Sequence, residues 1–425
     1  MPRVSRSFMT FSHASLLLSS LLVTMGLPSA TAGDWPQILG PARNGEAQGE
    51  RLLESWPAAG PQRLWSITLG QGFAGPVVAG KRVVVFHRVG DQEQLQCCDR
   101  DTGKALWQTR FPARYAGGVN PDTGPRCTPL IHRQRVYAFG AAGVMHCVTL
   151  AAGKPIWSRD LYGDYRGDEG YFGAGSTPIV AGDKLLVNLG GRSDAGLVAL
   201  ALDSGKTVWR VTDERASYSS PASVVLDGKP HVVFVTRFNT ICVAAATGKT
   251  TFQFPFGRRG PTVNAATPLI FDGQLFVSAA YGVGARLSRI ADGAATEIWS
   301  NDTSMSSQYS TCVHHRQFLY GTHGREDFNN GELRCIEARS GRVRWSVPGF
   351  GVANVMLSGD RLLTLNTRGQ LTLAVADASR FRKIAQANVA RGTTRSLPAL
   401  SNGLFLLRAN SGTESELRAL VVGKR

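Results

Sequence analysis

The chain has 425 residues, of which 43% are hydrophobic and 18% are charged, with 48 glycines and 20 prolines. This composition excludes a disordered chain, and it argues against a fold of long helices because glycine and proline interrupt helices. The formal net charge of +16 at pH 7 favours anionic partners, such as acidic polysaccharides or phosphate-bearing polymers. A solvated basic surface without a dedicated partner would account for the charge equally well.

Residues 1–32 are predicted to form a signal peptide. Arg3 and Arg6 give it a positive start, residues 14–27 are apolar, and the Ala-Thr-Ala sequence at residues 30–32 matches a cleavage site. The apolar stretch is too short to span a membrane, and no later run reaches the roughly eighteen apolar residues of a spanning helix. We therefore expect an exported protein, periplasmic or extracellular, without a nucleic-acid partner. The alternative is that this segment is an ordinary buried first element.

A leader segment, residues 33–61, precedes a unit that repeats through residues 62–425. Each unit starts with a small residue and proline before an apolar strand, and its outer strand follows a glycine turn and carries a tryptophan. Successive starts lie about 43 to 53 residues apart, in the range of propeller blades with four strands. The outer-strand tryptophans are Trp65, Trp107, Trp157, Trp209, Trp299 and Trp345. The pattern predicts an all-β, eight-bladed β-propeller of four-stranded blades.

Glycine in the turn permits the positive φ that a tight turn between twisted strands requires, and tryptophan offers a flat apolar surface that can seal one blade against the next. The last unit, which begins at Ser396, lacks its own outer strand, whereas residues 62–67 form a strand with no unit to complete. We therefore predict that the N-terminal strand closes the last blade and leaves no free sheet edge. The alternative is an open solenoid with capped ends.

Residues 97–107 match the tryptophan-docking pattern Ala-x-Asp-x-x-x-Gly-Lys-x-x-Trp at every specified position except the first. On this repeat, the chain from Leu64 to Val422 resembles the PQQ-repeat, or quinoprotein-like, propellers. The leader sequence DWPQILGPARNG, residues 34–45, is similar to the opening of small exported bacterial members. The resemblance implies one of two activities: oxidation of alcohols or sugars with pyrroloquinoline quinone (PQQ) and calcium, or a non-catalytic scaffold role in outer-membrane assembly.

In the enzymes of this family the quinone lies near the propeller axis, with calcium held by oxygen ligands and a carboxylate as base. The axial positions of this chain, three residues before each strand-start proline or its equivalent, contain no carboxylate. The polar side chains there would suit an anionic or planar ligand, or would satisfy backbone groups at the channel mouth. These candidate residues are Arg126, Tyr218, Tyr309 and Arg395, with Asn264 beside the counted positions. Acids nearby, such as Asp122, lie on connecting loops where a solvated surface is the ordinary explanation.

Cysteine and histidine provide no clear metal or haem site. Cys97 and Cys98 could form an adjacent disulfide like that of some quinoprotein dehydrogenases, but the repeat places Cys97 at a small buried position instead. The chain has no Cys-x-x-Cys-His haem motif and no paired Cys-x-x-Cys spacing for zinc. His314 and His315 are adjacent on a predicted strand, so they point to opposite faces and cannot both bind one ion.

The leading hypothesis is a non-enzymatic, exported binding or scaffold protein of the cell envelope, without catalytic residues, metal or cofactor. One alternative is a PQQ- and calcium-dependent alcohol or sugar dehydrogenase that uses loop acids. Another is a binder of anionic envelope polysaccharide. An envelope protein or an anionic polymer would be the partner in the non-enzymatic cases.

Overall fold

The computed structural model describes Pro2 and residues 33–424. The predicted signal peptide, residues 1–32, lies outside the described residues apart from Pro2. Within the described part, the chain forms thirty-two β-strands and one five-residue helix, α1 (Leu161–Tyr165). No helix in this part is long and apolar enough to cross a membrane.

The strands form eight antiparallel sheets of four, and each sheet is one blade of a β-propeller. Blades one to four contain β2 (Val77–Ala79), β3 (Arg82–Val89), β4 (Gln92–Asp99), β5 (Ala105–Pro112), β6 (Leu130–His132), β7 (Arg135–Phe139), β8 (Val144–Thr149), β9 (Pro155–Asp160), β10 (Ile179–Ala181), β11 (Lys184–Asn188), β12 (Leu197–Ala201), β13 (Thr207–Val211), β14 (Ala222–Leu226), β15 (Lys229–Val235), β16 (Asn239–Ala244) and β17 (Thr250–Pro255). Blades five to eight contain β18 (Leu269–Phe271), β19 (Gln274–Ala279), β20 (Gly284–Ala291), β21 (Ala294–Asn301), β22 (Val313–His315), β23 (Phe318–His323), β24 (Glu332–Glu337), β25 (Val343–Val347), β26 (Ala353–Ser358), β27 (Arg361–Asn366), β28 (Gln370–Val375), β29 (Arg382–Asn388), β30 (Ala399–Ser401), β31 (Leu404–Ser411), β32 (Glu414–Val421) and β1 (Arg63–Leu69). The predicted eight-bladed, all-β fold is confirmed.

In each blade, the second and third strands are more buried than the outer strand. In blade one, β3 is buried through most of its length, whereas β5 alternates between exposed and half-buried residues. Because antiparallel neighbours are joined by hairpins, the first-to-second and third-to-fourth turns of every blade share one end, the turn face. The opposite end, the loop face, carries the second-to-third connections and the loops between blades. These inter-blade loops are residues 70–76, 113–129, 161–178, 212–221, 256–268, 302–312, 348–352 and 389–398.

The predicted closure of the ring is also confirmed. Strand β1 pairs antiparallel with β32, with Trp65 opposite Ala419, and it is the outer strand of blade eight. Arg408 on β31 strengthens the junction, because its buried guanidinium donates to the carbonyl oxygens of Gly70, Ala74 and Phe86 at 2.8 to 3.1 Å. Blade eight is thus tied to blade one both by a shared chain segment and by a buried cation.

Tryptophans on the outer strands contact the next blade through two kinds of interaction. Each of six indole N–H groups donates to a carbonyl oxygen in the turn of the following blade, at 2.8 to 3.0 Å. The donors are Trp65, Trp107, Trp157, Trp209, Trp299 and Trp345, and the acceptors are Arg100, Leu150, Leu202, Ala245, Ala338 and Asp377. The turn glycine lies against the ring: at Gly205, with φ of +67°, a Cβ atom would come within 2.7 Å of Trp157.

Hydroxyl groups before the strand-start prolines link blades around the axis. Thr128 Oγ1 accepts the N–H of Gly75 at 3.2 Å, and Thr177 Oγ1 accepts the N–H of Thr128 at 3.1 Å. Ser220 Oγ in turn accepts the N–H of Thr177 at 3.0 Å. These bonds satisfy backbone donors that proline-interrupted strand starts leave without a ladder partner. They explain why threonine or serine precedes proline in the repeat.

The leader, residues 33–61, bonds to the inner strands of several blades from the turn face. Trp35 exchanges two backbone hydrogen bonds with Val78 in blade one, at 2.8 and 2.9 Å. The chain then contacts blade two, turns back, and pairs beside β26 of blade seven through Ala47 and Leu357. Farther on, the Glu50 carboxylate accepts backbone N–H groups of blade eight. The leader therefore crosses this end of the axis and connects blades that are not neighbours in sequence.

Candidate functional site

Arg43, at the tip of the leader, lies among the inner strands near the axis. Its Nε donates to Gln37 Oε1 at 2.8 Å, and its terminal nitrogens donate to the carbonyl oxygens of Thr177, Pro178 and Pro221. The residue is only 2% exposed, and burial lowers the pKa of Arg43 to about 9. The guanidinium thus bridges blades three and four from within, a role that the sequence patterns did not assign.

Arg126 lies in the loop between blades one and two, on the loop face. Its guanidinium forms an ion pair with Asp122 at 3.2 Å and donates to the carbonyl oxygens of Asp122 and Gly124. It also lies over two aromatic rings, 5.3 Å from the Tyr115 centroid and 5.7 Å from that of Phe73. Burial lowers the pKa of Arg126, and the Asp122 carboxylate opposes this shift. The loop therefore satisfies Arg126 internally.

Tyr309 and Arg395 converge on one carboxylate, that of Glu326. The Tyr309 hydroxyl donates to Glu326 Oε2 at 2.7 Å, and Arg395 Nε donates to the same oxygen at 2.8 Å. Burial, followed by the negative charge of Glu326, raises the pKa of Tyr309 well above its ordinary value. The guanidinium of Arg395 lies 6.0 Å from the Phe73 ring, so Arg126 and Arg395 meet around this phenylalanine.

Tyr218 and Asn264 form a separate pair that supports the backbone. The Tyr218 hydroxyl accepts the N–H groups of Tyr171 and Phe172 at 2.9 and 3.0 Å. Burial raises the pKa of Tyr218 to about 12. Asn264 is almost fully buried, its side chain donates to the Thr236 carbonyl at 2.8 Å, and its own carbonyl accepts the N–H of Tyr218 at 2.9 Å. Asn264 therefore lies behind the mouth rather than facing it.

Two carboxylates also lie at the axial mouth. Neither residue stands at one of the axial positions, three residues before a strand-start proline or its equivalent. Asp122, expected to be solvated, is instead buried, with Oδ2 accepting the N–H of Gly72 at 2.9 Å and Oδ1 accepting that of Gly124 at 2.9 Å. Glu326 comes from the connection between β23 and β24, not from an inter-blade loop. Both carboxylates pair with arginines of the candidate set, so the mouth contains two internal ion pairs.

These carboxylates do not fit a calcium site of the quinoprotein type. Calcium requires six to eight oxygen ligands that converge on one point, usually with two or more carboxylates. Asp122 and Glu326 are each bonded to an arginine, whose charge repels a cation. Within residues 33–424, no group of three or more histidine, cysteine or acidic side chains is placed to bind a metal ion.

The cysteines and histidines of the sequence analysis lie in separate environments. Cys97 lies opposite Trp107 in the sheet register and packs between blades one and two, whereas Cys98 packs in the cluster toward blade eight. Burial raises the pKa of both thiols to about 12, which leaves them protonated. His314 stacks on Phe271 at 4.0 Å. His323 accepts the N–H of Ser306 at 3.0 Å.

The loop face also contains a cavity of about 540 Å³ between blades five and six. Its lining includes Arg258, Arg259, Tyr281, His323, Arg325 and Phe328. The sequence reasoning missed this cavity because it counted only positions next to the strand starts. The one signal in the sequence was the adjacent pair Arg258 and Arg259 in a glycine-bounded loop.

Comparison with known proteins agrees with the repeat pattern. The model of the family described as "Outer membrane protein assembly factor BamB" matches residues 55–137, 118–347 and 193–406. A curated protein of that name from Alkalilimnicola ehrlichii is 28% identical over 159 residues, which is 37% of this chain and 37% of that protein. The aligned region thus spans little more than a third of that relative.

Solved structures share the fold at low sequence identity. BamB from Moraxella catarrhalis is 14% identical with a TM-score of 0.63, and the match covers 85% of this chain and 100% of that one. The quinohemoprotein alcohol dehydrogenase from Comamonas testosteroni is 13% identical with a TM-score of 0.68, covering 94% of this chain and 82% of that one. These similarities establish the fold alone, since BamB and an alcohol dehydrogenase match about equally well.

The family assignment rests on the sequence matches, which overlap one another and cover most of the described chain. They include inner strands of the blades and the outer strands that carry the tryptophans. The chain therefore belongs to the PQQ-repeat propeller family of the outer membrane protein assembly factor BamB.

Proposed function

We propose that this protein is a non-enzymatic binding or scaffold propeller of the cell envelope, and that its loop face contacts the partner. The observation that carries the proposal is the pairing at the axial mouth. Asp122 is bonded to Arg126, and Glu326 is bonded to Arg395 and Tyr309. A general base must be free to accept a proton from substrate, whereas both of these carboxylates already accept charged donors.

Exposed apolar side chains on the loop face support a binding role. Val119 is 72% exposed and Phe328 is 65% exposed, and both lie on connections at this end of the propeller. Exposed apolar groups rimmed by polar residues are typical of interaction surfaces. The name of the matched family, an outer membrane protein assembly factor, supports an envelope protein as the partner. The signal-like N-terminal sequence supports export to a periplasmic or extracellular location.

Site-specific photo-crosslinking tests which face binds the partner. A photoreactive amino acid at Val119 on the loop face should yield a discrete cross-linked product in cells of the source organism. The matched control is Val225, which is 58% exposed and lies on β14 next to the turn at residues 227–228. We expect no discrete product from Val225. Equal products from both positions, or none from either, would contradict a partner on the loop face.

The dehydrogenase alternative is tested by adding PQQ and calcium to the purified mature protein. We expect no stoichiometric quinone absorbance after desalting and no dye reduction that depends on an alcohol or a sugar. Substrate-dependent dye reduction would overturn the non-enzymatic proposal, and the variant Asp122→Asn would then identify whether this carboxylate takes part.

A further inference from the structure

The cavity between blades five and six contains two arginines that lack a charged partner within residues 33–424. Arg258 and Arg259 are both exposed, and within residues 33–424 neither guanidinium forms a hydrogen bond or an ion pair. Asp302 is the acidic side chain in the lining, and it already accepts a hydrogen bond from the Ser306 hydroxyl. The lining therefore retains two unpaired cations in a concave site, where a bound anion would be attracted.

An aromatic platform lies beside these arginines. The guanidinium of Arg325 is 4.2 Å from the Tyr281 ring centroid and 4.3 Å from that of Phe328, and it is paired with Asp327. Phe328 nevertheless remains 65% exposed. Arg325 thus serves to hold the two rings in place, and Phe328 presents apolar surface that is open to a ligand.

His323 adds a hydrogen-bond donor to the same lining. Its Nδ1 accepts the backbone N–H of Ser306, so the neutral ring carries its proton on Nε2. Burial lowers the pKa of His323, which favours this neutral form. In the part of the chain that the structure describes, Nε2 has no hydrogen-bond acceptor. A carbonyl or carboxylate oxygen of a ligand would supply one.

We propose that this cavity binds an acidic peptide segment of the partner, with its carboxylates at Arg258 and Arg259 and an apolar side chain against Phe328. The inference rests on the proposed function, because it assumes a protein partner at the loop face. A volume of about 540 Å³ accommodates a few side chains and not a folded domain. An acidic polysaccharide would also supply carboxylates, but it has no apolar side chain to place against Phe328.

A labelled peptide tests this assignment with the purified mature protein. The probe is a fluorescein-labelled, end-blocked hexapeptide of sequence Glu-Phe-Glu-Glu-Phe-Glu, and its control has glutamine in place of every glutamate. The double variant R258E/R259E should weaken binding of the acidic probe about tenfold or more, because two attractive charges become repulsive. The matched control, R339E/R380E, reverses two exposed arginines on the turn face and should leave the affinity within about twofold.

The Phe328→Ala variant tests the apolar half of the site. Phe328 is largely exposed, so its removal should not impair folding. It should weaken binding of the phenylalanine-containing probe and leave unchanged the binding of a probe with glycine in place of both phenylalanines. Equal binding of the acidic probe by wild type and R258E/R259E would overturn the proposal. Binding of polygalacturonate, but not of the acidic probe, in a manner sensitive to R258E/R259E would also overturn it.

The crosslinking and peptide experiments separate the two proposals. If Val119 captures a discrete partner while the acidic probe fails to bind, the peptide assignment fails and the scaffold function stands. If the probe binds at Arg258 and Arg259 while neither valine position captures a partner, the scaffold function is contradicted and the peptide site stands.

Discussion

Arg43 shows how a buried cation can be held without a carboxylate. The guanidinium makes four hydrogen bonds, to one amide oxygen and three backbone carbonyls, so dipoles replace the lost hydration. Those carbonyls belong to Thr177, Pro178 and Pro221, which immediately precede the inner strands of blades three and four. The arginine and the carbonyl oxygens therefore satisfy each other, and removal of either leaves a buried polar group unpaired.

Replacing Arg43 with methionine should destabilise the protein by about 2 to 4 kcal/mol, because three buried carbonyl oxygens lose their donors while the apolar volume is kept. Chemical denaturation of the purified protein, residues 33–425, measures this change. Arg51→Met is the matched control, since Arg51 is an exposed leader residue whose side chain should contribute little. A stability loss below about 1 kcal/mol for Arg43→Met would show that water or local rearrangement replaces the guanidinium.

The burial of His146 predicts that the protein loses stability in acid. The ring is 4% exposed and stacks on Phe111 at 3.7 Å, and burial lowers its pKa to about 4 from an ordinary 6.5. Between pH 6.5 and 4 the unfolded chain binds a proton that the folded chain does not. Stability therefore falls as the pH falls through this window, by about 3 kcal/mol from this residue.

The variant His146→Phe should remove that component while it keeps an aromatic ring against Phe111. Relative to wild type, its free energy of unfolding should improve by about 2 to 3 kcal/mol between pH 7.5 and pH 4.5. At pH 7.5 both rings are neutral. The difference in free energy of unfolding at that pH therefore measures the change in packing alone, and it serves as the baseline for the comparison at pH 4.5. A gap between the two proteins that stays constant with pH would show that His146 does not titrate in this way.

At the scale of the blade, outer-strand tryptophans pack against turn glycines of the next blade, and this contact recurs between successive blades. The glycine must have positive φ for the turn, and it must lack a Cβ atom for the neighbouring indole to approach. Gly205 and Trp157 illustrate both requirements. The sequence pattern alone suggested only the first, because the second depends on the adjacent blade.

Gly205→Ala should therefore reduce the free energy of unfolding by more than the backbone strain of positive φ alone. The control is Gly228→Ala, with φ of +70° and open space where the Cβ atom would lie. We expect Gly228→Ala to cost about 1 kcal/mol and Gly205→Ala about 2 to 4 kcal/mol, because the latter also displaces Trp157. Equal losses in chemical denaturation would show that the indole contact contributes nothing beyond backbone strain.

Local sequence patterns predicted the blades well, but they could not predict contacts between segments far apart in the sequence. The turn glycines, the strand-start prolines and the outer tryptophans recur in the same order in successive units, so blade number and ring closure could be predicted from them. Asp122 and Arg126 are only four residues apart, so their ion pair could also have been predicted from the sequence. Glu326 and Arg395 lie 69 residues apart, and Arg43 lies 134 residues from Thr177, so no local pattern could join them.

For the whole molecule, β1 and the leader stabilise the ring in different ways. Strand β1 completes a sheet whose edge would otherwise be open at β32, and it brings Trp65 against the turn of blade one. The leader instead ties several blades together across the axis through Trp35, Arg43 and Glu50. Loss of β1 would expose backbone donors and acceptors, whereas loss of the leader would expose mainly inner-strand surface.

Two N-terminal truncations of the chain separate these contributions. A chain that begins at residue 55 lacks the crossing part of the leader but retains β1, so it should remain a folded monomer with a lower Tm. A chain that begins at residue 71 also lacks β1, and its open edge at β32 should lead to aggregation in size-exclusion chromatography. A synthetic peptide of residues 60–72, added during refolding, should restore a monomeric complex because it supplies the missing strand. If the shorter chain were monomeric with the same Tm as the longer one, ring closure by β1 would not be what stabilises the propeller.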